Sequence, residues 1–481
     1  MDQLSARLPL ETFLESGVDR PTLGLVYGRR RIGKSTLLEG VARERRGFYW
    51  EATRSEAAVH LARLGEAVGA HLRVGKLSFD SWEEAIGQLL RLGDRGPVPV
   101  VLDEFSYLLE AFPPLDSVLA AALGPGGRRQ AGGQVRLVLC GSAIALMKLL
   151  TVGEAPLRGR AGMELVMQPF DFRAAGGLLG RGAPAELALR VFSTIGGVVG
   201  YYTDMVDHDL PRDLADFDRW VAARVLSPAA TLHHEATTVL AEDPTLSQAS
   251  PALHNAILGA IASGAVTAGR LSNRLRRPVS NLDPALKRLA AAGFVNRHDD
   301  PVRAQRPVYS LNDPFLQFHY AILEPHAALL RDRDPHKTWR DHLLATFDSR
   351  VRGPVFEAMA RSWVRRHADP ETTGGPVDHL GASTVVVDGT EHELDVVAAT
   401  GDPAAPPSER SVLCLGEAKA GQTVQMSQLR QLERARAALG VRASRAKLML
   451  FAPAFSRDVL AEAGRRGDLE LIDLERLYGG K

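Results

Sequence analysis

The chain is poor in cysteine, carries almost no net charge and contains no long apolar run. Only two cysteines occur in 481 residues, Cys140 and Cys414, far apart and each within an apolar stretch. That pattern excludes a disulfide framework and a cysteine-based metal site, and it points to two buried free thiols. No apolar run approaches the ~20 residues of a membrane span. The opening Met1-Asp-Gln-Leu-Ser-Ala-Arg7 lacks the charged-then-apolar pattern of a secretory signal. The expectation is a cytoplasmic protein with no membrane partner. A formal net charge of +1 means that any nucleic-acid footprint must be local. The histidines are scattered apart from the adjacent His233-His234, which do not share a helix face, so they form no metal set. No Ser-His-Asp arrangement stands out either.

An apolar fraction of 45% and a charged fraction of 24% belong to a soluble globular protein, and 481 residues suggest about three domains. The most specific segment is Gly28 to Ser35, G-R-R-R-I-G-K-S, a phosphate-binding loop of the form G-x-x-x-x-G-K-[ST]. Its glycines let the backbone turn its N–H groups towards phosphate oxygens. Lys34 reaches the β- and γ-phosphates of ATP, and Ser35 offers its hydroxyl to Mg²⁺. Arg29, Arg30, Arg31 and Ile32 complete the loop between Gly28 and Gly33, and Thr36 follows it. The flanks suit the motif: Thr22 to Tyr27 reads as a buried strand, and Ser35 to Ala42 begins an amphipathic helix with its N-terminus at the phosphates.

An acidic partner for the metal is expected on a neighbouring strand. Pro97 to Phe105 supplies an apolar strand ending in Asp103-Glu104. Asp103 would lie in the Mg²⁺ shell, and Glu104 would orient or deprotonate the attacking water. A third strand, Arg136 to Cys140, ends in Gly141-Ser142. Ser142 is a candidate contact for the γ-phosphate or the water, with a helix N-cap as the alternative. Ala155-Pro-Leu-Arg-Gly-Arg160 carries two arginines in a loop; Arg160 would complete charge stabilisation in cis or towards a neighbouring subunit of a homo-oligomer, or else be a solvated surface residue.

These segments, together with Gly196-Gly-Val-Val-Gly-Tyr201, resemble the archaeal-type ATPase family within the AAA+ and STAND ATPases. The resemblance implies an α/β P-loop NTPase with an AAA+-like parallel sheet and a helical lid over about Pro169 to Val225, so that residues 1–225 form the ATPase core. Val199 stands where the family more often has proline. Leu311 to Tyr320 is similar to a further signature of the family, D-P-F-L-x-F-W-F.

Residues 226–335 read as a winged helix-turn-helix. Three short amphipathic helices (His254 to Ala262, Ala268 to Leu275, Asn281 to Ala292) precede two strands, Phe294 to Arg297 and Pro307 to Leu311, around a polar loop. Between Ala265 and Ser310 nine Lys/Arg face three Asp, which makes double-stranded DNA the expected partner. Arg274, Arg276, Arg277, Lys287, Arg288, Arg303 and Arg306 are the candidate phosphate contacts. Solvated charge on a protein-docking module is the alternative, and no aromatic platform for single strands accompanies these residues.

Residues 336–481 read as a restriction-endonuclease-like α/β domain. Asp395 lies in the strand Glu391 to Ala398, and Glu417 and Lys419 share one face of the strand Val412 to Ala420. Asp395 and Glu417 could converge on a second Mg²⁺ or Mn²⁺, with Lys419 beside them. Upstream, Glu357 on a helix suits a supporting acidic role; downstream, Gln428 and Arg430 could reach phosphate. The order helix-Glu, strand-Asp, strand-E-x-K is the PD-(D/E)xK pattern, and the resemblance is consistent with such a C-terminal domain. A simple Glu417–Lys419 ion pair is the alternative. The combined expectation is a Mg²⁺-dependent ATPase joined to a DNA-binding, nuclease-like region that serves DNA processing or defence. Competing with it are a non-nucleolytic, ATP-switched signalling or DNA-binding regulator and an ATP-dependent DNA remodeller.

Overall fold

The apolar runs of the N-terminal third pair into a single parallel sheet. In the computed structural model, which describes residues 3–127, 133–247, 250–304 and 307–481, these strands are β1 (Thr22–Tyr27), β2 (Phe48–Glu51), β3 (Val98–Asp103), β4 (Val135–Gly141) and β5 (Ala161–Val166). Their order is β2-β3-β4-β1-β5, all parallel. The acidic strand β3 is therefore not the direct neighbour of β1, as the sequence reading had it, because β4 pairs with both and lies between them. β4 is buried along its whole length, as a strand covered on both faces must be. Leu25, Leu102 and Leu139 on the strands pack with Leu64, Ile86 and Leu119 from the flanking helices. The strands' carboxyl ends share one edge, so the turns after β1, β3 and β4 meet there.

The described chain divides into two units. The first comprises Met1–Phe170, Val198–Gly200 and Glu242–Gln248; the second comprises Asp171–Gly197, Tyr201–Ala241 and Ala249–Lys481. The helices Phe172–Gly177, Ala185–Ile195 and Leu214–Val221, expected as a lid within residues 1–225, thus group with the C-terminal part. The reason is visible in the packing. Tyr478, in the helix Leu474–Gly479, sets its ring edge-on to Phe172 at 5.3 Å, and Arg173 donates to the Leu477 carbonyl at 2.8 Å.

In the second unit the helices Pro251–Ala262, Ala268–Leu275 and Val279–Ala291 bury Ile257, Leu258, Leu271, Leu282, Leu286 and Leu289. Thr267 caps the second helix by accepting from the Arg270 N–H. The antiparallel pair β6 (Val295–His298) and β7 (Val308–Leu311) follows. The tip between these strands, which carries the candidate phosphate contact Arg303, packs on the C-terminal sheet. Val302 is buried in the core of the C-terminal sheet. Asp300, itself buried, accepts from the Val302 and Arg303 N–H groups and from the Ser383 hydroxyl at 2.9 Å. Arg303 lies 4.0 Å from Glu391 with its side chain 28% exposed, and Arg306 lies outside the described residues. An apolar residue at the tip of a polar loop drives this docking, since leaving Val302 in water forfeits about 1.5 kcal/mol or more.

The C-terminal strands are β8 (His379–Val387), β9 (Thr390–Thr400), β10 (Ser411–Ala418), β11 (Thr423–Val424), β12 (Lys447–Phe451), β13 (Ala454–Phe455) and β14 (Leu469–Ile472). A mixed sheet has the order β14-β12-β10-β9-β8, antiparallel through β8, β9 and β10 and parallel through β10, β12 and β14; β11 pairs separately with β13. The helix Gly353–Arg366 packs Trp363 against Phe451 at 5.8 Å, and the helix Met426–Ala438 adds Leu429 and Leu432 to the core with Leu415 and Leu448. Among the described residues no helix is long and apolar enough to cross a membrane.

Candidate functional site

The loop from Gly28 to Ser35 joins β1 to the helix Lys34–Glu44, which anchors itself through buried Leu37, Leu38 and Val41. Gly33 adopts φ 87°, which opens the helix N-terminus at low cost for glycine. Gly28 is required by space instead: a Cβ there would stand 2.4 Å from the Met167 carbonyl oxygen. Lys34 is buried and its Nζ donates to the carbonyls of Gly28 at 2.9 Å and Arg29 at 2.8 Å. Arg29 and Ile32 are buried, whereas Arg31 and Thr36 are exposed. Two later segments complete the first unit around the loop: the Gly200 N–H donates to the Arg31 carbonyl at 2.9 Å, and Glu242 pairs with Arg30. Arg30 also donates to the Tyr107 hydroxyl at 3.3 Å.

Asp103 ends β3 fully buried, and the Glu104 N–H donates to its Oδ1 at 2.7 Å. Glu104 itself occupies the left-handed region at φ 49°, a conformation that costs a non-glycine residue roughly 1 kcal/mol. The Ser142 hydroxyl donates to Glu104 Oε2 at 2.9 Å. Ser142 does not cap the next helix, whose N-cap position is Ala143. Arg160 immediately precedes β5, whose first residue pairs with Leu23 at the start of β1. It therefore stands at the edge of the sheet opposite the phosphate loop, with its Nε donating to the Pro156 carbonyl, and this chain's own loop is beyond its position.

Three residues at this site escaped the sequence reading. Tyr49 on β2 donates to Asp103 Oδ2 at 2.7 Å. Burial, reinforced by the Asp103 charge, pushes its hydroxyl well above the ordinary tyrosine range, so it stays protonated and donates. Glu51, across from Asp103 in the β2–β3 pairing, is pushed up by burial and then by the charges of Asp103 and Glu104. Cys140, expected as a buried thiol and found so, faces Asp103 from β4; burial, and then that charge, push its thiol up. A tyrosine and a glutamate two apart on a strand are the only sequence trace of the first two, and only the strand order gives them a partner.

A second cluster sits at the end of the C-terminal sheet. Gly416 pairs with Val396, which sets Asp395 and Glu417 opposite each other on adjacent strands. Asp395 Oδ2 accepts from the Ala418 N–H at 2.8 Å. Glu417 Oε1 lies 2.5 Å from Lys419 Nζ. Burial pushes Asp395 up to about 8, helped by the charges of Glu357 and Glu417. Burial also raises Glu357, opposed by Arg361 and Lys419. Arg361, one turn beyond Glu357 on the same helix, donates to the Asp395 carbonyl at 2.7 Å and was not foreseen. Lys419 feels burial against its charge, but Glu417, Asp395 and Glu357 outweigh it and raise its pKa. Gln428 accepts from the Gln425 N–H through Oε1 at 3.0 Å as part of the helix cap, which leaves its amide N–H groups as donors, and Arg430 is exposed.

The residues present fit the groups the motifs imply to different degrees. Lys34, the glycine-shaped loop, and the hard oxygens of Ser35 and Asp103 suit a nucleotide triphosphate with Mg²⁺. At the second cluster Glu357, Asp395 and Glu417 supply carboxyl oxygens, a donor type that suits a hard cation, beside Arg361 and Lys419. Even so, among the described residues no three His, Cys, Asp or Glu side chains stand together as a ligand set.

No family model matches the chain. An uncharacterised protein of Methanocaldococcus jannaschii is 23% identical over 316 residues, 64% of this chain, and the chain spans 65% of that protein's length, less than two thirds. Among solved structures, the Walker-type ATPase of Pyrococcus abyssi aligns with 21% identity and a TM-score of 0.52, covering 67% of this chain and 96% of that one. The ORC2 protein of Aeropyrum pernix, solved as ADPNP–ADP complexes, aligns with 16% identity and a TM-score of 0.37, covering 68% of this chain and 92% of that one. The likeness to the Pyrococcus protein and the strand order together show a P-loop ATPase fold in the first unit.

Proposed function

We propose that the protein is a Mg²⁺-dependent ATPase that binds double-stranded DNA and carries a metal-dependent nuclease centre at Asp395, Glu417 and Lys419. The observation that carries the ATPase reading is the meeting of Lys34, Ser35, Asp103 and Glu104 at one edge of the parallel sheet. Lys34 would bind the β- and γ-phosphates, and Glu104, steadied by Ser142, would orient the attacking water and accept its proton. Ser35 and Asp103 would hold Mg²⁺, which supplies charge compensation to the phosphates. Arg160, remote from its own loop, suits a role towards a neighbouring subunit of a homo-oligomer.

DNA binding rests on the three helices of residues 226–335, read as a winged helix whose wing is docked. Arg274, Arg276, Arg277 and Lys287 are exposed, and Lys287 pairs with Asp283 at 2.7 Å. The nuclease reading, for residues 336–481, rests on Asp395 and Glu417 standing opposite one another beside Glu357 and Lys419. Asp395 and Glu417 would hold Mg²⁺ or Mn²⁺, which supplies Lewis-acid activation of a phosphodiester. The close Glu417–Lys419 pair favours a second reading, in which this centre is a structural ion pair in an ATP-switched DNA-binding regulator.

The deciding experiment incubates plasmid and linear DNA with wild type, Lys34→Ala and Asp395→Ala, with and without ATP. Cleavage by wild type and none by Asp395→Ala supports the nuclease. Intact DNA throughout, with binding retained, leaves the regulator.

A further inference from the structure

Each oxygen of the Asp103 carboxylate is held by a donor. Its own neighbour Glu104 supplies an N–H to Oδ1, and Tyr49 a hydroxyl to Oδ2. The first is local to the strand end itself. Tyr49 is different, because it arrives from β2, 54 residues away in sequence.

We propose that Tyr49 is a positioning residue for the divalent cation, fixing the plane of the Asp103 carboxylate. This rests on the ATP–Mg²⁺ reading above. A carboxylate can rotate about its Cβ–Cγ bond, and a donor on each oxygen stops that rotation. Removing such an outer partner costs about 10- to 100-fold in metal affinity in comparable sites. The strand geometry supplies the reason for tyrosine. Tyr49 pairs with Val101, two residues before Asp103, so a short side chain could not reach the carboxylate whereas a phenol does.

The test is Tyr49→Phe, which keeps the ring and deletes the donor. Mn²⁺ binding to the protein–ADP complex, followed by electron paramagnetic resonance, is the primary measurement. Fluorescent ADP binding in EDTA and the thermal midpoint in EDTA are the controls. The expected result is a Mn²⁺ Kd raised roughly 10-fold or more, with both EDTA measurements close to wild type. In an Asp103→Asn background the same change should add no further loss. Mn²⁺ affinity equal to or tighter than wild type overturns the proposal, as does a loss of ADP affinity in EDTA of the same size as the Mn²⁺ effect. If Phe leaves the protein unfolded, 4-fluorophenylalanine at position 49 fills the para position without donating, and the same outcomes decide. Wild type that binds no Mn²⁺ with ADP defeats the ATPase reading itself, a result distinct from equal binding by both proteins.

Discussion

Lys34 and Gly28 show how differently two residues of one motif are constrained. Lys34 is held by two backbone carbonyls, so truncation forfeits hydrogen bonds worth about 1 kcal/mol each to a buried group. The Lys34→Ala protein should fold, while phosphate release from ATP falls by roughly 100-fold or more because the cation facing the transferred phosphate is gone. Unchanged turnover in a contaminant-free preparation would remove Lys34 from the mechanism. Gly28→Ala should act through sterics alone. The added methyl meets the Met167 carbonyl at 2.4 Å, so the loop must shift, and nucleotide affinity should drop while most of the sheet persists. Isothermal titration with ADP separates the two variants: Gly28→Ala loses binding, whereas Lys34→Ala loses chiefly turnover.

At the scale of single elements, the β6–β7 hairpin is the most informative departure from expectation. Its tip belongs to the core of the C-terminal sheet, so Val302→Asp should lower stability by several kcal/mol by burying an unpaired charge, seen as a lower thermal midpoint. Arg303→Ala should leave DNA affinity unchanged, since Arg303 lies beside Glu391. The helical segment after β7 carries a second testable feature in His319, which is 7% exposed. Burial, and then the nearby His233, lower its pKa to about 4 from an ordinary 6.5. The folded state therefore binds fewer protons than the unfolded state between these values, so stability rises with pH across that window and is lost as pH falls from 6.5 towards 4. His319→Phe should flatten the slope by roughly 2–3 kcal/mol over the window, measured by urea titration at several pH values. A slope identical to wild type would show that His319 keeps its ordinary pKa in the folded protein.

For the molecule as a whole, the basic surface must be tested separately from the two catalytic candidates. Reversing Arg274 and Arg277 to Glu together should weaken double-stranded DNA binding across all sequences and reduce the salt dependence of log K by about 2. Fluorescence anisotropy at several salt concentrations measures both, and an unchanged salt slope would move the DNA contact away from the helices Ala268–Leu275 and Val279–Ala291. The near-neutral chain makes this a local effect, because a net charge of +1 provides no general attraction to DNA.

Features that depend on short-range order are written in the residues alone. The phosphate loop, the strand ending in Asp103-Glu104, the three helices before β6 and the E-x-K strand were legible because spacing along one element places their side chains. Tertiary structure decided everything that needs two distant elements side by side. It inserted β4 between the loop strand and the acidic strand, brought Tyr49 to Asp103, sent Arg160 to the opposite edge, and buried the hairpin tip through Val302. It also grouped the helices from Phe172 to Val221 with the C-terminal unit. Hydrophobic burial has no direction along the chain, so a local pattern says that a face will be covered and leaves open what covers it.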